Sequence, residues 1–416
     1  MSHACGLDFG TSNSTVGLCS GNTTRLLSLE DDKPTLPSVV FFNADENHAC
    51  FGRQALAEYL EGYEGRLMRA LKSVLGTGLI DGKTEVQGRA LPFRELLAWF
   101  IAELKKRAES AAGQEFERAV FGRPVFFVDG DPVADQLAQD TLGQIARAVG
   151  FRHIEFQFEP IAAAFDYEAT LAREELVLIV DIGGGTSDFS LVRLSPDRAR
   201  KPDRRDDILA NSGVHIGGTD FDRALNLNAV MPQLGYKSLL ASGAEMPSSY
   251  YFNLATWHTI NFVYARGVLP GLQDLYRSAQ EQDKIDRLIR LINQRAGHWL
   301  ALQVETAKIA LSAAETTQLD FDQLDPELSH PITRAEFDTA IGPLVEKIET
   351  TLGELLHQAN LRADAVDTVF FTGGASGVPL LRARLAACLP QARHVEGDLF
   401  GSIGIGLALD AQRKFG

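Results

Sequence analysis

Two short segments of the sequence place an aspartate, glycine and a threonine in the same order. One is Asp8-Phe9-Gly10-Thr11, and the other is Asp181-Ile182-Gly183-Gly184-Gly185-Thr186. A glycine turn exposes backbone N–H groups with no side chain in the way, so phosphate oxygens can approach it closely. An aspartate at the end of the preceding strand offers an oxygen ligand to the magnesium ion that accompanies phosphates. Two such turns predict a clamp on a triphosphate with Mg²⁺, whereas one turn alone is more typical of an ordinary strand-end loop.

Each segment follows an apolar strand and leads into a second strand. Strands are predicted over residues 5–8, before the first turn, and over 17–19, after it. Around the second turn, strands are predicted over 175–181 and 188–192. This coarse internal repeat indicates two related lobes. The remaining pattern predicts strands over 39–42, 119–128 and 366–371, and helices over 93–109, 134–149 and within 280–314. Alternating strands and helices predict an α/β protein, and residues 198–207, which carry balanced charges, predict a solvated loop.

Composition argues against several classes of protein. The chain has 416 residues, too many for one simple core, and a net charge of −15, which argues against nucleic-acid and anionic-membrane partners. Its four cysteines show neither CxxC spacing nor a histidine cluster, so we interpret them as reduced thiols rather than disulfides or zinc ligands. No apolar run approaches the roughly 20 residues that span a bilayer, and residues 1–10 lack signal-peptide character. We expect a soluble, cytoplasmic protein.

Several segments, in order, resemble motifs of the 70-kDa heat-shock chaperones (DnaK type), members of the actin and sugar-kinase superfamily. Residues 5–14 (CGLDFGTSNS), 179–190 (IVDIGGGTSDFS) and 369–379 (VFFTGGASGVP) are similar to the phosphate-1, phosphate-2 and adenosine motifs. Shorter matches surround Lys72 and Glu159 and cover 215–222 and 305–312. The resemblance extends over nearly the whole chain, except for an unmatched part at 236–277.

The resemblance implies an actin-like ATPase fold, with two lobes each built on a ribonuclease-H-like sheet and the nucleotide in the cleft between them. Lobe I would span 1–172, with 395–416 returning to it, and lobe II 173–394, with an enlarged helical subdomain at about 223–314. The chain ends at residue 416, so we expect the family's peptide-binding domain to be absent. The aromatic residues of 236–277 are typical of a subdomain core or, less often, of a partner surface.

The resemblance also implies roles for single residues. Asp8 and Asp181 would orient Mg²⁺ through its waters. Lys72 would offset charge on the γ-phosphate and help position the attacking water, with Glu159 and Asp181 directing the proton. The implied catalytic set is Lys72, Glu159, Asp181 and Thr186, and the implied set that binds ATP or ADP is Gly10, Thr11, Ser12, Gly183, Gly184, Gly185, Gly217, Gly218, Glu305, Lys308, Ser312, Gly373 and Gly374. Gly377 and Ile309 stand where the family usually has basic residues, which implies a looser hold on adenine.

The sequence is compatible with three functions. The resemblance favours a chaperone-like ATPase that binds Mg-ATP, hydrolyses it slowly and changes lobe orientation to control an unidentified protein partner or client. A small-molecule, sugar-type kinase shares the fold, but it needs an aspartate base, and Asp181 and Glu159 resemble water-positioning residues instead. An actin-like filament-forming protein is a third alternative, against which the acidic composition weighs.

Overall fold

The computed structural model describes residues 4–21, 23–128, 130–201, 204–325, 328–398 and 401–416. Its strands, in chain order, are β1 (Ala4–Asp8), β2 (Asn13–Ser20), β3 (Thr23–Leu26), β4 (Thr35–Pro37), β5 (Val39–Asn43), β6 (His48–Phe51), β7 (Gly65–Arg69), β8 (Lys83–Val86), β9 (Arg89–Pro92), β10 (Arg118–Arg123), β11 (His153–Phe158), β12 (Glu175–Ile182), β13 (Ser187–Leu194), β14 (Ile208–Val214), β15 (Thr316–Asp320), β16 (Ser329–Thr333), β17 (Thr368–Thr372) and β18 (Arg393–Glu396). Its α-helices are α1 (Gly52–Leu60), α2 (Phe93–Ala112), α3 (Pro132–Ala148), α4 (Glu159–Glu168), α5 (Gly218–Leu225), α6 (Ser249–Ala255), α7 (Val268–Ser278), α8 (Gln282–Asn293), α9 (Gly297–Ala313), α10 (Arg334–Gln358), α11 (Pro379–Cys388) and α12 (Ser402–Phe415). The predicted α/β class is confirmed.

Two large sheets share one topology. The first has the strand order β11-β10-β1-β2-β3, with β4 paired to β2, and the second has the order β14-β13-β12-β17-β18. In each sheet the first three strands along the chain are antiparallel, and the last two are added in parallel. The central strands β1 and β12 are buried almost throughout, as expected for strands covered on both faces. The internal repeat predicted from the two glycine turns is confirmed in this strand order.

The chain divides into two compact units. The first comprises Met1–His215, Thr351–Ser376 and Leu385–Gly416, and the second comprises Ile216–Thr350 and Gly377–Arg384. Both large sheets belong to the first unit, while helices α5 to α9 and the β15–β16 hairpin belong to the second. The lobe boundaries expected at residues 172 and 394 remain a prediction.

Helix α12 packs on the first sheet and on helix α4 through glycines. A methyl group on Gly6 of β1 would lie 2.2 Å from the backbone nitrogen of Ala408, and one on Gly406 would lie 1.8 Å from the carbonyl oxygen of Ala162. Neither position has room for a side chain, because backbone approaches backbone directly. The contact at Gly6 holds α12 against one face of β1, the strand that ends in Asp8.

The segment predicted to be a solvated loop, 198–207, contains a buried ionic cluster instead. Arg204 donates hydrogen bonds of 2.8 Å to both carboxylate oxygens of Glu168 and also pairs with Asp207. All three residues are at most 3% exposed. Balanced charges alone do not separate a solvated loop from a buried network, because burial here depends on packing against α4. Residues 202–203 lie outside the described part of the chain.

The aromatic segment 236–277 contributes to both core and surface. Tyr251 is fully buried and its ring lies 5.2 Å from that of Tyr236, centroid to centroid. Phe252 and Phe262, in contrast, are 39% and 62% exposed. Tyr251 is therefore a core residue of the subdomain, as predicted, whereas Phe252 and Phe262 lie on the surface of the second unit.

Candidate active site

Asp8 and Asp181 occupy nearly equivalent places in the two large sheets. Asp8 is the last residue of β1, and Asp181 is the next to last of β12. Asp8 pairs with Thr15 across β1 and β2, and Asp181 pairs with Asp188 across β12 and β13. Both strands are central in their sheets, and of the two carboxylates Asp8 is buried and Asp181 is half-buried.

Lys72 and Glu159 form a buried ion pair in the same unit. Lys72 lies in the 3₁₀ segment Leu71–Val74, which follows Ala70 in the left-handed region at φ 56°, and Glu159 begins α4. Lys72 Nζ donates to Glu159 Oε1 at 2.5 Å, and each residue is 9% exposed. The two residues are 87 positions apart in sequence, so tertiary folding brings them together.

Three carboxylates, those of Glu159, Asp8 and Asp181, interact with this one ammonium group, and a fourth, that of Asp188, acts on Asp181. Burial raises the pKa of Asp8 to about 7; the charge on Glu159 adds to the effect and that on Lys72 opposes it. Burial also raises the pKa of Asp181 well above its usual range, and other carboxylates add to the shift, in the order Asp188, Glu159 and Asp8. Burial opposes the charge on Lys72, but the carboxylates, led by Glu159, outweigh it and raise the pKa of Lys72. The cluster thus carries an excess of acidic groups that a divalent cation would balance.

The two glycine turns touch each other. A methyl group on Gly184 would lie 2.0 Å from the hydroxyl oxygen of Ser12. The second turn is closed by the N–H of Gly183, which donates to the carbonyl oxygen of Thr186 at 3.0 Å. A methyl group on Gly185 would meet no atom within 4 Å. A side chain at position 184 would therefore displace the Ser12 hydroxyl, whereas the space beside Gly185 is open.

Ser38 fixes the first glycine turn, a role that the sequence did not predict. Its hydroxyl donates to the carbonyl oxygen of Gly10 at 2.7 Å, and its N–H donates to that of Ser12 at 2.9 Å. Ser38 is fully buried, and Thr11 between its two partners is half-buried. Gly10 has no room for a side chain, since a methyl group would lie 2.1 Å from a carbonyl oxygen of the same turn. The signal in the sequence, a serine directly after Pro37, names no partner for the hydroxyl.

Gly373 lies directly against Asp181. Strand β17 runs parallel to β12, with Thr372 paired to Asp181. Gly373 has φ 79°, and a methyl group there would lie 2.5 Å from Asp181 Oδ1. Gly374 then begins the short 3₁₀ segment Gly374–Gly377. Only glycine fits at position 373, because of its positive φ and its contact with Asp181. The structure thus brings Gly373, followed directly by Gly374, to the acid cluster.

The other predicted nucleotide-binding residues lie in the second unit, on α5 and α9. Gly217 precedes α5 and donates its N–H to Asp220 at 3.0 Å, and Gly218 is the first residue of the helix. Three further residues follow one another at intervals of three and four along α9, so they share one helix face: Glu305, Lys308 and Ser312.

Lys308 connects these two helices. Its Nζ lies 2.9 Å from Asp222 Oδ1, and it donates to Asp222 Oδ2 at 3.0 Å and to the carbonyl oxygen of Gly218 at 3.2 Å. Lys308 is 9% exposed, and its own carbonyl lies 3.4 Å from the hydroxyl of Ser312. Because the ammonium group is already engaged by α5, Lys308 holds the helices in place.

The family model for Hsp70 proteins matches residues 4–233 and 273–412. The match covers both glycine turns, Lys72, Glu159 and the α9 residues. The chain belongs to the Hsp70 family. This membership makes it a chaperone-type ATPase with the family's actin-like ATPase fold, and implies the use of nucleotide and Mg²⁺ and interaction with client proteins. The predicted family and fold are confirmed.

Between its two matched ranges, the family model leaves out residues 234–272 of this Hsp70-family chain. It overlaps the unmatched part predicted at 236–277 and contains α6, the 3₁₀ segment Trp257–Tyr264 and the first turn of α7. The chain departs from the family pattern here by an aromatic, helical segment in the second unit.

The acid cluster fits a magnesium ion by its chemistry. Its donors are carboxylate oxygens, the ligands that Mg²⁺ prefers, and their raised pKa values report a local excess of negative charge.

Among the described residues, no helix is both long enough and apolar enough to cross a membrane.

Proposed function

We propose that this Hsp70-family chain binds ATP with Mg²⁺ at the acid cluster and its two glycine turns, and hydrolyses it slowly. One observation carries the proposal: Asp8, Glu159, Asp181 and Asp188 act on the single ammonium group of Lys72 or on one another, beside two turns in contact. A purely structural cluster would not need so many acids at buried and half-buried positions, since the raised pKa values of Asp8 and Asp181 cost folding free energy at neutral pH. The slow rate is inferred from family membership.

We assign the catalytic roles to Lys72, Glu159, Asp181 and Thr186. Lys72 offsets charge on the transferred phosphoryl group, and Glu159, at 2.5 Å, holds its ammonium in place. Glu159 and Asp181 direct the proton of the attacking water, and the hydroxyl of Thr186 donates to the γ-phosphate. Bound Mg²⁺ would neutralise phosphate charge, and Asp8 and Asp181 would orient it through its waters.

The remaining residues are proposed to hold the nucleotide. Backbone N–H groups of the two turns bind phosphate oxygens; these turns comprise Gly10, Thr11, Ser12, Gly183, Gly184 and Gly185. The open space beside Gly185 supports this assignment, because none of the described residues would contact a side chain at that position. The adenosine is assigned to Gly217, Gly218, Glu305, Lys308, Ser312, Gly373 and Gly374.

Hydrolysis is proposed to change the orientation of the lobes and thereby the affinity for a protein partner. A nucleotide can shift a conformational equilibrium only through contacts that differ between ATP and ADP, and contacts to the γ-phosphate are such a difference. We place the protein in the cytoplasm, because its four cysteines are reduced thiols and not disulfides.

Isothermal titration with ATP and ADP, with and without Mg²⁺, tests the proposal together with phosphate-release assays. The wild type is expected to bind both nucleotides in a Mg²⁺-dependent manner. Lys72→Ala should lose about a hundredfold or more of the hydrolysis rate while binding changes little, and Asp181→Ala should lose the Mg²⁺ dependence. Lys106→Ala, at a lysine whose side chain is 80% exposed, is the matched control and should behave as the wild type.

Two outcomes would count against the proposal. Absence of heat with either nucleotide in the wild type would remove the nucleotide site altogether. Identical proteolytic patterns with ATP and ADP would leave the site but contradict the conformational switch.

A further inference from the structure

A histidine, a cysteine and a glutamate meet in the first unit, away from the acid cluster. His48 and Cys50 lie two residues apart on β6, so their side chains share one face of the strand, and Glu58 lies on the following helix α1. Their ligand atoms (imidazole nitrogen, thiol sulfur and carboxylate oxygen) all lie within 4.8 Å of one another. Among the described residues, this is the one cluster of histidine, cysteine or acidic side chains whose ligand atoms lie close enough together to bind a single metal ion.

The spacing of these atoms is close to that around a zinc ion. His48 Nε2 lies 3.0 Å from Glu58 Oε2, and Cys50 Sγ lies 3.2 Å from the same oxygen. Ligands that bind Zn²⁺ tetrahedrally at about 2.0 to 2.3 Å are separated from each other by roughly 3.3 to 3.8 Å. Small side-chain adjustments would therefore admit the ion, without movement of β6 or α1.

The surrounding residues hold the three side chains in place. Asn43 Nδ2 donates to Glu58 Oε2 at 2.9 Å, and Gln54 Nε2 donates to Glu58 Oε1 at 2.8 Å. On the other side of the imidazole, a carboxylate oxygen of Glu46 lies 3.7 Å from His48 Nδ1. Without a metal the nearer carboxylate, Glu58 at 3.0 Å, favours the imidazole proton on Nε2. A metal bound at Nε2 would shift that proton to Nδ1, on the side of Glu46, and such outer carboxylates are typical of built metal sites.

Access and burial also suit a bound ion. Cys50 is 4% exposed, whereas the side chain of His48 is 36% exposed and that of Glu58 is 15% exposed. The ion could therefore enter from the histidine side and reach a sulfur that is sheltered from solvent oxidants. The mixture of sulfur, nitrogen and oxygen favours Zn²⁺ over Mg²⁺ or Ca²⁺, which take oxygen ligands.

We propose that His48, Cys50 and Glu58 form a Zn²⁺ site, with a water molecule as the fourth ligand, that fastens β6 to α1. On binding, the thiol proton leaves to solvent as the sulfur–metal bond forms, and the imidazole proton resides on Nδ1. The proposal is independent of the nucleotide site. It also revises the interpretation of Cys50 as a plain reduced thiol, because His48 stands two residues from it.

Titration of the metal-free full chain with Co²⁺, without nucleotide or Mg²⁺, tests this site. Co²⁺ substitutes for Zn²⁺ and gives a near-ultraviolet charge-transfer band when a thiolate binds it, a signal that the all-carboxylate acid cluster cannot produce. The wild type is expected to show the band with one equivalent and to lose it when Zn²⁺ is added. Thermal unfolding in parallel should show stabilisation by Zn²⁺.

Variants decide which residues bind the metal. Cys50→Ser should abolish the band, and His48→Gln should weaken Co²⁺ binding at least tenfold, while Cys19→Ser should retain the wild-type signal. Should Cys50→Ser fail to fold, His48→Gln remains decisive, because that side chain is partly exposed. Absence of the band in the wild type, or its persistence at full strength in His48→Gln, would overturn the proposal.

Discussion

Replacing Asp8 with asparagine should make the nucleotide-free protein more stable, although it removes a residue proposed to orient Mg²⁺. The pKa of Asp8 rises from an ordinary 3.8 to about 7, mainly because the carboxyl group is buried. The folded form therefore keeps its proton at a higher pH than the unfolded chain, so stability falls as the pH rises from about 4 to about 7. Ionised Asp8 then costs about 4 kcal/mol at pH 8, from 1.36 kcal/mol for each tenfold change in acidity.

Thermal unfolding of the two proteins at pH 4, 6 and 8, without Mg²⁺, measures this effect. Asp8→Asn should match the wild type near pH 4 and unfold at a higher temperature at pH 8, by about 5 °C for a chain of 416 residues. Adding Mg²⁺ with nucleotide should stabilise the wild type and have much less effect on the variant. Asp206→Asn, at an exposed aspartate, retains Asp8 and should therefore unfold as the wild type does at all three pH values.

An Asp8→Asn protein that is no more stable than the wild type at pH 8 would contradict this prediction. That result would mean that the buried carboxylate is already balanced within the chain. The acid cluster would then have no electrostatic need for a cation.

Other predictions compare glycines and buried charges. Gly185→Ala should leave the unfolding free energy within about 0.5 kcal/mol, since its methyl group meets open space, yet weaken ATP binding in a titration by at least tenfold. Gly373→Ala should destabilise the fold by about 1 to 3 kcal/mol, because φ is 79° and the methyl group would lie 2.5 Å from a carboxylate; unchanged thermal stability would contradict this. Arg204→Ala should cost about 3 to 5 kcal/mol by leaving the Glu168 carboxylate buried without its partner, whereas Arg200→Ala, at a side chain 82% exposed, should unfold as the wild type does.

Local patterns in the sequence predicted the secondary structure around the site well. The strand before each glycine turn, the strand after it and the α2 helix are present, because apolar periodicity and turn residues act over a few neighbours. The strand predicted over 119–128 is shorter, since β10 ends at Arg123. Pro124 has no N–H with which to extend the ladder of hydrogen bonds.

Contacts between distant segments could not be predicted in the same way. Ser38 bonds to the first glycine turn, and Arg204 is buried against Glu168. Serine and arginine are usually found at the surface, so no periodic pattern in the sequence predicts that these two side chains are buried. Their partners are decided by how strands and helices pack, which no local window of sequence contains.

The sequence by itself determined the family, the repeated strand–glycine turn and the residue types available for phosphate chemistry. Those features depend on the identity and order of neighbouring residues. Tertiary structure alone decided that Lys72 reaches Glu159, that Ser12 meets Gly184, and that His48 and Cys50 face Glu58. Ionisation and metal affinity depend on burial and on distances of a few ångströms between side chains, and only the folded chain sets those distances.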